Sequence, residues 1–163
     1  MTDFVASWEL SRQRFVNEIG TLTDAQMQWR PFDGTLSIGQ MALHVAGVEV
    51  SFSTQLMGGT LTQKEAKLKS AATCGVVNDE AFPFLDAEIT TELVLGALDH
   101  AKTLVEPIIT EPSPEILQKE LKSALGPIIT GYGALARFAF HPAYHQGQAY
   151  LYKQMPEFPG SPA

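Results

Sequence analysis

Four histidines occur among the 163 residues, and three of them are spaced and flanked in a way that suits metal chemistry. His141 and His145 stand four apart in FAFHPAYHQGQAY. On a helix that step sets their Cβ atoms about 5–6 Å apart on one face. Two imidazoles so placed can both reach one cation through metal–nitrogen bonds of about 2.0–2.1 Å. The spacing alone is weak evidence, because a chain with four histidines produces such a pair by chance at an appreciable rate. A further ligand must come from elsewhere in the fold, and His44, set in the apolar stretch MALHVAGV, is the candidate. Metal sites in helical bundles are assembled in this way, from side chains on facing helices. The competing reading makes the three ordinary core histidines, satisfied by backbone groups or by Glu49. On residue pattern alone both readings stand.

Helices must position these residues. Val5, Trp8, Arg12, Phe15, Val16 and Ile19 recur at steps of three and four, a helical stripe with Arg12 along its margin. Thr2 or Asp3 can cap its start and Gly20 can end it. Thr23 to Gln26 has capping-box spacing and Trp29-Arg30-Pro31 stops the short turn that follows. Ser37 to Gln40 repeats that spacing, so a helix begins near Ser37 and runs through Met41, Val45, Val48, Phe52 and Leu56 to Gly58-Gly59. His44 lies on or beside its buried stripe. Residues 60–88 are hard to read: Leu61 to Leu68 suits a turn or two of amphipathic helix, and Cys74-Gly75, Asn78-Asp79 and Pro83 suit loop.

A third long helix is expected from Thr90 or Thr91 to Pro107, a short surface helix over Glu115 to Leu121, and a last one from Thr130 through Tyr152 toward Met155. No segment alternates for long enough between hairpin turns to read as a strand. Four main helices of roughly 15 to 25 residues, each about 22 to 38 Å long, predict an all-α four-helix bundle. Their unequal connections imply a long crossover, and the length fits a single domain over 1–163.

Composition narrows the function. The chain carries 18 acidic and 11 basic residues for a net charge of −7. No cluster of Lys and Arg suits a phosphate backbone, so nucleic acid is not an expected partner. The densest basic stretch, Lys64 to Lys69, is interrupted by Glu65. No apolar run reaches the roughly 18 residues that a membrane span needs. The first residues, MTDFVASWEL, lack a basic segment followed by an apolar one, and the single cysteine, Cys74, has no internal partner for a disulfide. The expectation is a cytoplasmic protein acting on a small molecule.

The stretch SIGQMALHVAGVE and the late HPAYHQGQAYLY resemble the two halves of the DinB/YfiT-like family, whose pattern is a histidine on helix two and a later His-x-x-x-His followed by Gly-Gln. QMQWRPFDG resembles that family's Trp-Arg-Pro connection into helix two. The resemblance covers most of the chain in order and spacing, and is weakest over 60–88 and 109–127. It implies a four-helix bundle, commonly paired into homodimers, with nickel, zinc or a similar ion on three histidines. It also implies metal-dependent enzymes, some of which transfer or isomerise with a low-molecular-weight thiol. By the matching motif His44, His141 and His145 are the ligands. One departure is Pro142, where the family usually has a helix-friendly residue. Inside a helix it deletes one hydrogen bond, strands the Phe138 carbonyl and favours a kink at the site.

Three protein nitrogens leave at least one coordination position open, the arrangement of catalytic sites. An ion held by neutral ligands lowers the pKa of a bound water or thiol. Activated water gives hydrolysis; activated thiol gives transfer to an electrophile. Gln148, three residues past His145, could orient a ligand, or bond to a neighbouring helix. Glu49, five past His44, suits a base or an interhelical partner equally. Tyr144 and Tyr152 offer hydroxyls but suit packing better, Gly147 suits a close helix contact, and His100 and Cys74 belong to neither motif. Two functions remain in view. One is a metal-dependent hydrolase or thiol S-transferase. The alternative is a non-catalytic, stress-associated protein that binds a metal or a ligand.

Overall fold

The structure, a computed structural model, describes residues 4–124 and 128–160. Its first element, α1 (Phe4–Ile19), buries Trp8, Ser11, Arg12, Phe15 and Ile19 on one side. The cap expected at Thr2 or Asp3 lies outside the described residues. Thr23 accepts from the Gln26 amide and Gln26 closes the box on Thr23, so α2 (Asp24–Gln28) starts where its spacing predicts. Trp29 ends it, set edge-on against Tyr152 and Phe158.

Ser37 and Gln40 form the same reciprocal cap on α3 (Ile38–Met57). The helix ends at Gly58, whose φ of +70° is a conformation L side chains resist. Next comes α4 (Gln63–Ser70), again boxed, by Thr62 and Glu65. A 3-10 turn (Asp86–Glu88) leads into α5 (Thr91–Thr110), capped by Thr90.

Two expectations fail between here and the last helix. Instead of ending at Pro107, α5 continues to Thr110. The added turn seats Ile108 and Ile109, both fully buried. Burying each is worth about 1.5–3 kcal/mol, enough to outweigh the roughly 3 kcal/mol of an interior proline. The surface helix expected over Glu115 to Leu121 is shorter: α6 (Pro114–Gln118) is followed by a strand, β1 (Glu120–Lys122). It pairs antiparallel with β2 (Ile128–Thr130), Leu121 opposite Ile129. Leu121 points inward against the core while Glu120 and Lys122 face out. Three residues are too few for that alternation to be read in the sequence.

The last element, α7 (Gly131–Lys153), is helical on both sides of Pro142 and continuous through it. Broad packing joins α1 to α7, α7 to α3, α3 to α5 and, more lightly, α5 to α1. The four long helices thus form a bundle in which α1 lies diagonal to α3, and α5 to α7. The segments joining each diagonal pair, through α2 and through α6 with the paired strands β1 and β2, are the crossing connections. With α5, α7 and α4 all against it, α3 is buried without interruption from Ile38 to Val50. A helix that is covered all round is mostly apolar all round, and the polar groups buried in that stretch, Gln40, His44 and Glu49, each have a partner.

Arg12 is not marginal. It is buried between three helices, its Nη1 donating to both Glu49 oxygens on α3 at 2.6 Å and its Nη2 to the Leu98 carbonyl on α5. Burial pushes the Glu49 carboxyl up, against the opposing pull of Arg12.

Candidate metal centre

His44 lies in the second turn of α3, fixed by the Ser37 cap behind it, and faces α7 where His141 and His145 share one side. All three are buried, at 5–6 % exposure. One nitrogen from each lies within 4.8 Å of the others, and the group could hold a metal ion. The rings pack edge-on, with centroids 4.7 to 5.3 Å apart.

Hydrogen bonds decide which nitrogens face inward. His44 donates from Nδ1 to the Ala71 carbonyl at the end of α4, 3.0 Å away. His145 donates from Nδ1 to Gln148 Oε1 at 2.7 Å. With Nδ1 protonated in both, each Nε2 is left as a bare lone pair. His145 Nε2 lies 3.1 Å from His141 Nε2, close to the ~3.3 Å that two nitrogens keep on a tetrahedral ion with bonds of about 2.0–2.1 Å.

Among the described residues His141 Nδ1 is buried with no partner. If His141 carries its proton on Nε2 and donates it to His145 Nε2, its Nδ1 is a bare buried acceptor; if it carries the proton on Nδ1, two Nε2 lone pairs confront each other. A cation shared between the Nε2 atoms removes that repulsion, so the donor set fits a divalent ion.

The electrostatics agree. Burial, then the charges of His145, His44 and Arg137, push His141 down to about 2. Burial and the charge of His44 push His145 down to about 4, against the pull of Gln148. His44 is lowered by burial, opposed by the Ala71 bond, with Arg137 adding to the shift. All three are therefore neutral at pH 7, the state that ligates. Zinc, nickel, cobalt and iron all accept imidazole, and the donor set does not choose among them.

The close fit of α4 against α3 needs Gly47, one turn past His44. A Cβ there would stand 2.9 Å from the Ala72 nitrogen and closer still to the Leu68 carbonyl oxygen. Without the side chain, the end of α4 comes near enough for Ala71 to reach His44.

The other singled-out residues separate. Gln148 joins the site directly through His145. Tyr144, half exposed, sets its ring against His145 with centroids 5.0 Å apart and lines the adjoining cavity, as does Tyr152. Glu49 is held by Arg12 and does not line that cavity, so a base role there lacks support. Gly147 meets nothing within 4 Å of an added Cβ among the described residues; it does not serve the close helix contact expected of it. His100 pairs with Glu65 on the surface at 3.0 Å. Cys74 donates to Glu80 at 3.0 Å, and this bond, with burial, pushes its thiol up, away from the reactive thiolate.

Arg137 was overlooked by residue pattern. It stands four residues before His141 and lines the cavity. The same helical step that singles out His145 would have found it.

Among the described residues no helix is long and apolar enough to cross a membrane. Comparison with curated proteins yields no match. The sequence model of the DinB superfamily matches residues 7–149, an interval that takes in all three histidines and all four long helices apart from their outermost residues. The chain belongs to the DinB superfamily.

Proposed function

We propose that His44, His141 and His145 hold one divalent ion, zinc or nickel, through their Nε2 atoms, and that the protein is a metal-dependent hydrolase or thiol S-transferase. The observation that carries this reading is the convergence of three buried, neutral imidazoles on one point, two of them oriented from behind by Ala71 and Gln148. When bound, an ion with three nitrogen ligands and an open position acts as a Lewis acid that lowers the pKa of a water or a low-molecular-weight thiol.

The chain's own residues do the rest. Gln148 Oε1 fixes the tautomer and ring plane of His145, and the Ala71 carbonyl does so for His44, so neither ring must be reorganised to bind. Low imidazole pKa values mean that no proton has to leave before ligation at neutral pH. Apolar walls, including Met41, Val48 and Phe52, thin the water around the open position and strengthen every charge interaction inside. We expect a small-molecule substrate. The pairing of two copies that the family resemblance implies is to be read from sedimentation.

One observation favours a second reading, a non-catalytic metal- or ligand-binding protein: no carboxylate lines the cavity among the described residues, so no obvious general base stands there. Metal content by mass spectrometry tests the first step, with about one ion per chain expected for the native protein and none for His141→Ala. A screen of esters, amides and thiol–epoxide pairs then separates the readings. Turnover that is lost with His141→Ala supports the enzyme; full activity in the metal-free variant would sink it.

A further inference from the structure

The cavity in front of the imidazoles is lined by charge of one sign. It encloses about 830 Å³, within the ~300–1,000 Å³ common for small-molecule sites. Arg137, Lys69 and Lys122 line it and, among the described residues, no Asp or Glu does. This opposes the balance of the chain, which has 18 acidic residues against 11 basic. Four of the eight cations outside it are ion-paired: Arg12 with Glu49, Arg30 with Asp86, Lys67 with Glu88, Lys153 with Glu18. Arg137 has no such partner among the described residues, and its Nε is buried without a hydrogen bond.

A guanidinium with no protein anion can grip a planar anion through two parallel hydrogen bonds from its Nη groups, while the covered Nε holds the side chain's stem in place and does not meet the ligand. Lys69 and Lys122 are exposed, where long flexible cations steer an anion inward without fixing it. Between these charges the walls are apolar, with Met41, Phe52, Val76 and Phe140 among them. A divalent ion on three neutral histidines would add to the excess of positive charge.

We infer that the ligand of this cavity is an organic anion, a carboxylate on an apolar body, and that Arg137 is the residue that selects its charge. The placing of that carboxylate beside the imidazoles rests on the proposed metal centre; the contact with Arg137 does not require the ion.

Calorimetric titration of the full chain with acetate, benzoate and 3-phenylpropionate, each against its primary amide, tests this in zinc-loaded and metal-stripped protein. The longest acid should bind tightest, and more tightly than its amide in both states. Arg137→Gln should weaken the acid by about 10- to 100-fold, the range for a lost charge-assisted bond, and leave the amide unchanged. Arg137→Lys should recover part of the loss, since it restores charge without the fork. Unchanged zinc uptake by Arg137→Gln shows that the variant is folded and its imidazoles intact. Equal binding of acid and amide, no binding of any of the three acids, or wild-type acid affinity in Arg137→Gln overturns the inference. Acid binding that needs zinc and ignores Arg137 does the same while leaving the metal centre standing. Arg137-dependent binding by a chain that takes up no zinc supports the inference and removes the metal reading.

Discussion

Adding one methyl group at Gly47 tests whether the packing of α4 on α3 sets the properties of the site. The Cβ of Gly47→Ala would lie 2.9 Å from the Ala72 nitrogen, where ordinary contact begins near 3.4 Å, and it meets the Leu68 carbonyl at shorter range. Both obstacles are backbone, so they cannot rotate away. The end of α4 must retreat by at least about half an ångström, and Ala71 moves with it. The bond from His44 Nδ1 to the Ala71 carbonyl, 3.0 Å now, then stretches to about 3.5 Å, the edge of a useful hydrogen bond. Overpacking of this kind costs about 1–3 kcal/mol, and the better helix propensity of alanine returns about 0.8–1 kcal/mol. The expected net loss is up to about 2 kcal/mol in urea unfolding of the metal-free protein. Loss of a partner behind a ligating imidazole typically lowers metal affinity about 10- to 100-fold, which competition for zinc against a chromophoric chelator would read. Gly96→Ala is the control, since nothing lies within 4 Å of its added Cβ; it should gain about 0.8–1 kcal/mol with zinc affinity unchanged. Wild-type stability and zinc affinity within twofold in Gly47→Ala would refute the reasoning.

The metal-free protein should lose stability as pH falls below about 6.5, the ordinary histidine value. The unfolded chain then takes up protons that the buried imidazoles refuse, so stability rises with pH across the window. That window reaches down to about 4 for His145 and about 2 for His141, with a slope approaching about 1.4 kcal/mol per pH unit for each. The readout is the difference in urea midpoint between wild type and the His141→Ala, His145→Ala double variant from pH 7 to pH 4; parallel curves would contradict it. At the Arg12–Glu49 pair, Arg12→Ala should cost about 3–5 kcal/mol by stranding a buried carboxylate. Joint replacement by Arg12→Met and Glu49→Leu should cost much less, because no charge is left behind. A single-variant loss under about 1 kcal/mol would show that the pair is hydrated.

Helix starts were the most legible part of the sequence, because a capping box is a local signal: Ser37 with Gln40 and Thr23 with Gln26 are contacts between residues three apart. The continuation of α5 past Pro107 was illegible, since it depends on what Ile108 and Ile109 touch in the assembled core. Leu121 failed for a similar reason, its strand being shorter than any readable period. At the site, the His-x-x-x-His step and Gln148 could be read because they lie on one helix. The Ala71 carbonyl could not, because any residue supplies a carbonyl and only the approach of α4 selects this one. Arg12 looked marginal because a single helix cannot show that its guanidinium meets Glu49 and Leu98 from two others.

The unbroken burial of α3 has a consequence for how such a protein can diversify. From Ile38 to Val50 every residue is buried and only Met41, His44 and Val48 border the cavity, so most substitutions around His44 are tested against the packing of three neighbours. By contrast, α7 leaves Tyr132, Phe140, Tyr144 and Tyr150 exposed, and two of these border the cavity. Mutational tolerance is therefore divided across the two halves of the site. Change in what the cavity accepts is expected to accumulate on α7, around Phe140 and Tyr144, while the half that carries His44 is held constant by its surroundings.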